Sequence, residues 1–244
     1  MNNTTIATMN RLKLFGMQQS FRALVESKQH ERLTNDELVS MLVQAEWEDR
    51  ENRKTSRYLR AARFRYNASI EDVNFIDQRG LDKTLFLRLS DCSFIKRKEN
   101  IMVTGPTGVG KSYLASALGH QSCLKGYKCL YFNSRKLFSK LKMSKADGSY
   151  IKEINRIEKH DLLIIDDFGL QPFDDQERLM LLEIIEDRHE RRSTIIGSQL
   201  PVSNWYDVIG DNTIADAILD RLAYSSHRIE LNGTSMRKKK KQTD

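Results

Sequence analysis

Cysteine is scarce in this sequence. The 244 residues hold three, an odd number, and Cys92, Cys123 and Cys129 show no metal-ligand spacing. That excludes a disulfide-stapled scaffold and a cysteine-built metal centre, and it predicts a reduced, cytoplasmic protein. Long apolar runs are missing too. Nothing approaches the roughly 20 residues of a membrane helix, and the opening MNNTTIATMNRLK has no apolar signal core, so no membrane partner is expected. There is no internal repeat, and the one low-complexity stretch is the run Arg237, Lys238, Lys239, Lys240, Lys241. Negative charge is the minority sign: 40 Lys and Arg against 33 Asp and Glu give a net charge of +7, which points to an anionic partner. The basic run itself reads either as a solvated tail or as a non-specific phosphate contact.

What is present is enough chain for one sizeable core and a smaller appended domain. The main chemical signal is Gly105, Pro106, Thr107, Gly108, Val109, Gly110, Lys111 and Ser112, which fit the pattern G-x-x-x-x-G-K-[ST]. A short apolar run, NIMVT, precedes it as a predicted strand, and a helically spaced segment from Lys111 follows. In that setting the glycines let successive backbone N–H groups face phosphate oxygens, reinforced by the helix N-terminus. Lys111 is expected to reach the β- and γ-phosphates of a nucleoside triphosphate. Ser112 is expected to ligate Mg²⁺, and Tyr113 completes the nucleotide-binding set.

Ahead of this motif, Leu14, Met17, Phe21 and Leu24 form a helical stripe, and Thr34 with Glu37 opens a capping box for a second helix. From 46 to 65 that helix becomes charged. Glu46–Arg50 and Asp49–Arg53 are ordinary pairs four residues apart, but past Lys54 the acids stop. Arg57, Arg60, Arg63 and Arg65, interleaved with Tyr58, Phe64 and Tyr66, are therefore candidates for nucleic-acid backbone or a protein partner. Residues 67–69 break the pattern, and Ile70, Val73, Phe75 and Leu81 belong either to the core or beside a base. Strands are predicted at 101–104, 128–132, 161–166, 194–198 and 228–231, alternating with helices as in a parallel α/β sheet.

The stretch LLIIDDFG supplies a buried strand opening onto Asp166 and Asp167. Two adjacent acids there need positive charge, which Lys111 and a nucleotide-bound Mg²⁺ would provide. Asp166 is the expected metal ligand and Asp167 the group that orients or activates water. The next strand ends in Ser198 and Gln199, either of which suits the γ-phosphate. Arg221 has no carboxylate three or four residues away on its own helix, so it is expected to act as an arginine finger across a subunit interface.

Together GPTGVGKS, LLIIDDFG, the GSQ strand end and ILDRL resemble AAA+ ATPases of the initiator and helicase-loader branch, and most closely the IstB-type helper ATPases of bacterial insertion sequences. NDELVSMLVQAEWEDRENRK through RAARF is similar to the helical N-terminal part of that family. The resemblance implies a P-loop AAA+ domain with a five-stranded parallel sheet flanked by helices, no full C-terminal lid, and a small all-α domain in front. The corresponding bounds are 1–66, 67–235 and a basic tail 236–244. It further implies ATP-dependent homo-oligomers on duplex DNA, with ATP sites at subunit interfaces, and stimulation of a partner transposase. The family's DNA-binding region falls on 134–160, where Arg135, Lys136, Lys140, Lys142 and Lys145 suit backbone contact without sequence readout. Asp167 stands where many AAA+ proteins have glutamate. The alternative within the same branch is a DnaC-like helicase loader acting on single strands. A small-molecule kinase, which also uses a phosphate loop, fits the paired acids and the basic insert poorly.

Overall fold

The computed structural model describes residues 2–75 and 79–236. The basic run 237–241 and residues 76–78 lie outside the described residues. The chain divides into two compact units between Arg57 and Tyr58, and each is taken by itself.

The first unit is helical: α1 (Asn2–Arg11), α2 (Phe15–Glu26) and most of α3 (Asn35–Ala62). Met17, Phe21 and Leu24 of the predicted stripe lie on α2, where Leu24 is buried, and Leu14 is the residue just before its first turn. Thr34 and Glu37 form the expected box, the Thr34 N–H donating to Glu37 Oε2 at 2.8 Å and the Glu37 N–H to Thr34 Oγ1 at 3.3 Å. Both charge pairs are made, Arg50 with Glu46 at 2.6 Å and Arg53 with Asp49 at 2.7 Å. Glu46 is buried and also accepts the Met17 N–H in the first turn of α2, where a negative charge is favourable. Helix α1 was not anticipated, because NNTTIATMNR carries too few apolar residues to show a stripe.

The second unit runs α4 (Lys83–Leu89), α5 (Ser93–Arg97), β1 (Asn100–Thr104), α6 (Lys111–Leu124), β2 (Cys129–Asn133), α7 (Ser134–Ala146), α8 (Tyr150–Glu158), β3 (Leu162–Phe168), α9 (Asp175–Arg188), β4 (Ser193–Ser198), α10 (Trp205–Ile209), α11 (Asn212–Ala223) and β5 (Ser226–Glu230). The five strands form one parallel sheet in the order β2-β3-β4-β1-β5. Burial on both faces explains their nearly continuous apolar runs. Ile101, Val103, Leu162 and Ile164 pack with Leu114 and Leu118 of α6, while Met102, Leu163, Ile165 and Ile196 pack with Phe138, Met180, Ile184 and Ile218 on the opposite face. Ile70, Phe75 and Leu81 pack on the first of these layers and Val73 lies within it, so these residues serve the core. Among the described residues no further strand follows β5, and Met236, the last of them, is helical.

Arg188 pins one end of this sheet. It is fully buried, and its guanidinium donates to the Ile157 carbonyl at 2.8 Å, His160 at 2.9 Å, Ser193 at 2.6 Å and Thr194 Oγ1 at 3.2 Å. Burial, followed by the nearby charge of Arg192, holds its pKa down to about 9. The fan of acceptors joins the ends of α8 and α9 to the start of β4. Arg188→Met should therefore cost about 3 kcal/mol, because several buried acceptors lose their donor at once. A urea midpoint within error of the wild type would show that the fan contributes nothing.

Candidate nucleotide site

The carboxylate ends of β1, β3 and β4 bring the predicted residues together, as open α/β sheets do for their ligands. After β1 the chain turns through Gly105, Gly108 and Gly110, all at positive φ, with Gly108 at 87° and Gly110 at 104°. Those left-handed values suit glycine, and Lys111 then opens α6. Lys111 is buried, and its Nζ donates to the carbonyls of Gly105 and Pro106 at 2.7 Å each, cinching the loop from within. Ser112 occupies the first turn of α6, and Tyr113 beside it is half-buried, its ring tilted against Tyr66 at 6.2 Å. Burial, with a smaller contribution from Asp72, raises the Tyr113 pKa.

Two supports of the loop carried no sequence motif. Arg79, buried, donates from Nη1 to the Val109 carbonyl at 3.0 Å and from Nη2 to Asn74 at 2.6 Å. The segment after β5 closes on the loop beside Arg79, the Met236 N–H donating to the Gly108 carbonyl at 3.0 Å.

The acidic pair is built by a bulge. Ile165 pairs with Ile196 but Phe168 pairs with Ser198, so β3 holds one more residue than β4 across this stretch. Asp167 takes up the extra length at φ 57°, a backbone state uncommon for a non-glycine residue. Asp166 is fully buried. Its Oδ2 accepts the Tyr131 hydroxyl at 2.5 Å and lies 3.4 Å from Arg65 Nη1. Asp167 Oδ2 accepts Arg65 Nη1 at 2.9 Å and Asn133 Nδ2 at 2.8 Å. Burial, reinforced by the Asp166 charge, raises the Tyr131 pKa, so the phenol remains a donor. Arg65, grouped by sequence with a nucleic-acid surface, is thus seated on the two acids, a partnership a hundred residues away in the chain that helix spacing cannot reveal.

Asp166 Oδ1 is buried and has no hydrogen-bond partner among the described residues. It faces Gly197 of β4, where an added Cβ would come within 2.7 Å of it. A buried carboxylate oxygen without a donor suits a hard divalent cation, and one or two carboxylates with a hydroxyl and phosphates are the ligands magnesium ordinarily takes. The residues present therefore fit that ion. Among the described residues no group of three or more His, Cys, Asp and Glu is arranged to hold a metal without such help.

Beyond Gly197 the two alternatives separate. Ser198 is fully buried, its Oγ donating to the Phe168 carbonyl at 2.9 Å and accepting the Leu200 N–H at 3.1 Å. Gln199 instead reaches the phosphate loop, its Oε1 accepting the Thr107 hydroxyl at 2.6 Å. Because β4 lies between β3 and β1, Gln199 stands between the acidic pair and the loop.

Arg221 lies elsewhere, near the start of β1. It is not an unpaired guanidinium: Nη2 meets Glu186 of α9 at 2.7 Å and Nη1 the Ala217 carbonyl at 2.8 Å. Its partner sits on a neighbouring helix, which same-helix spacing does not register. It borders a concavity of about 350 Å³ with Arg97, Lys98, His189 and Tyr224. The insert between β2 and β3 is the hairpin of α7 and α8, and two of its lysines are also engaged. Lys140 pairs with Glu153, and Lys142 bridges Asp174 at 2.5 Å and Glu177 at 2.7 Å, the two residues of the α9 capping box. Arg135, Lys136 and Lys145 are exposed, Lys145 over the Tyr150 ring at 4.8 Å. Arg57 and Arg60 are exposed near the end of α3.

A parallel five-stranded sheet with a phosphate loop after β1 and paired acids in the bulge of β3 defines a P-loop ATP-binding protein of the AAA+ class. Solved structures agree on the fold. That of DnaI is similar with a TM-score of 0.58 at 23% identity, covering 72% of this chain and 93% of that one. The replication initiator DnaA, bound to AMPPCP and single-stranded DNA, gives 0.57 at 15% identity over 74% of this chain and 56% of that one. The chain belongs to the family of IstB-like ATP binding proteins, whose profile matches residues 7–244. Among relatives, an insertion-sequence ATP-binding protein of Sinorhizobium fredii is 44% identical over 234 residues, 96% of each chain. The ATP-binding protein of insertion sequence IS21 from Pseudomonas aeruginosa is 30% identical over 233 residues, 96% of this chain and 88% of that one.

Proposed function

We propose that this protein is an ATP-hydrolysing, DNA-binding helper of transposition that assembles on duplex DNA in the cytoplasm and stimulates the transposase of its own element. The observation that carries the reading is the meeting of the phosphate loop, the acidic pair and Gln199 at one edge of the sheet, in a chain whose relatives are insertion-sequence ATP-binding proteins.

In this reading the loop N–H groups and Lys111 hold the β- and γ-phosphates, Ser112 and Asp166 Oδ1 face the magnesium ion, and Tyr113 lies toward the nucleoside. Magnesium, when bound, neutralises charge across the phosphates. Asp167 orients the attacking water and Gln199 contacts the γ-phosphate, whereas Ser198 fixes the bulged strand end. Arg221 serves a neighbouring subunit's nucleotide by exchanging Glu186 for phosphate. Residues 1–66 act in assembly and partner binding, the last of them, from Tyr58, also packing on the ATPase that 67–235 form. Arg57, Arg60, Arg135, Lys136 and Lys145 contact DNA backbone, with Lys140 and Lys142 bracing the insert beneath them. No helix of the described residues is long and apolar enough to cross a membrane.

Sedimentation with long duplex and with single-stranded DNA, each with ATP, ADP or no nucleotide, tests this. Large complexes are expected on duplex with ATP alone. Assembly confined to single strands would overturn the transposition reading in favour of a helicase loader.

A further inference from the structure

Neighbouring residues of a regular strand face opposite sides of a sheet. The bulge in β3 and the left-handed backbone of Asp167 defeat that rule, and both carboxylates come to lie on one nitrogen, Arg65 Nη1, at 3.4 Å from Asp166 and 2.9 Å from Asp167. Two adjacent carboxylates, one wholly buried, repel each other and lose solvation, and a shared cation offsets both costs. Arg65 is held there by its neighbours. Phe64 packs edge-on against Tyr131 at 6.4 Å, and Tyr66 lies against Tyr113 at 6.2 Å, so the residue between them is presented to the acids. The Arg65 side chain is nevertheless 40% exposed, whereas that of Asp166 is 0% exposed. The arginine can leave into water; the aspartate cannot.

We propose that Arg65 is a positioning residue for the acidic pair, serving as a counter-ion that gives way when a divalent cation arrives with the nucleotide. The inference rests on the nucleotide-site reading above. Its reason is occupancy. Asp167 Oδ2 already accepts both Arg65 and Asn133, and Asp166 Oδ2 accepts Tyr131 beside Arg65, so among the described residues Asp166 Oδ1 is the buried oxygen of the pair left without a hydrogen-bond partner. A second positive charge at Oδ1 makes the guanidinium redundant and repels it. Its departure frees Asp167 Oδ2 toward the site. Because Arg65 lies three residues past the end of α3, at Ala62, the same exchange marks the nucleotide state on the segment that leads to that helix.

Calorimetric titration of ATP into the full chain, once with magnesium and once with EDTA, gives a ratio of affinities that reports the magnesium enhancement. Arg65→Gln should raise that ratio about tenfold, within the usual range of coupling between sites, while leaving affinity in EDTA nearly unchanged. Arg65→Lys, which keeps the charge, should return it toward the wild type. An equal loss in both buffers, or an enhancement at or below that of the wild type, would overturn the proposal, since bracing the fold or gripping a phosphate gives those results. Hydrogen exchange on the unmodified protein is the independent arm. Amides 63–66 should exchange faster with ATP and magnesium than with ATP and EDTA, and unchanged exchange with the magnesium complex demonstrably bound would also overturn it. Absence of ATP binding by the wild type in either buffer would overturn the nucleotide site itself.

Discussion

Lys111→Ala is expected to reduce ATP affinity by at least about a hundredfold, roughly 3 kcal/mol, while the protein remains folded. That magnitude follows from charge-assisted hydrogen bonding. In the structure the ammonium is buried and already makes two hydrogen bonds to loop carbonyls at 2.7 Å, so little entropy remains to be lost when phosphate oxygens take their place. Nothing else in the loop carries a positive charge. Alanine would leave the Gly105 and Pro106 carbonyls without that donor, but Arg79 on Val109 and Met236 on Gly108 still hold the loop from outside. The thermal midpoint should fall by only a few degrees. Equilibrium binding of a fluorescent ATP analogue, with thermal unfolding as the control, separates the two effects. Unchanged affinity in a folded variant would remove the loop from the nucleotide site.

How much of this was legible in the sequence depended on the range over which the signals act. The phosphate loop, the acidic strand and the five-strand alternation are local patterns, and each predicted strand lies within about two residues of an observed one. One extension was instructive. β3 runs on to Phe168 rather than stopping at Asp166, because a bulge lets the ladder resume after the acids. No local pattern announces a bulge. Charge partnership failed for the same reason. Same-helix spacing paired Glu46 with Arg50 correctly, yet it left Arg65 and Arg221 looking unattached. Their partners, Asp167 and Glu186, lie in elements that only the fold brings near. Arg79, Tyr131 and Asn133 escaped notice because an isolated polar residue in an apolar or mixed segment has no periodicity to betray it. Asn133 ends β2, a position facing the ligand edge of such a sheet, and that placement is the one clue the alternation could have offered.

The second large effect is expected on DNA, and the ion pairs of the insert decide which side chains to change. Arg135, Lys136 and Lys145 are exposed and make no ion pair among the described residues, so their charges are available to phosphates. Replacing all three with alanine should weaken duplex binding across unrelated sequences. It should also flatten the plot of log affinity against log salt by about 2.7 units, at about 0.9 for each phosphate left without its cation. Between about 50 and 200 mM salt that amounts to about 40-fold. Lys140 and Lys142 make the contrast. Lys142 holds both acids of the α9 capping box, and Lys140 joins α7 to Glu153 of α8, so losing these two should lower stability by about 1 kcal/mol while altering the salt slope by less than about 1 unit. Fluorescence anisotropy on two duplexes of unrelated sequence across a salt series reads the first effect, and urea denaturation the second. If the triple variant kept the full slope while Lys140→Ala with Lys142→Ala diminished it, the DNA would have to draw those lysines out of their ion pairs. The face that meets phosphate would then be the one buried between the insert and α9.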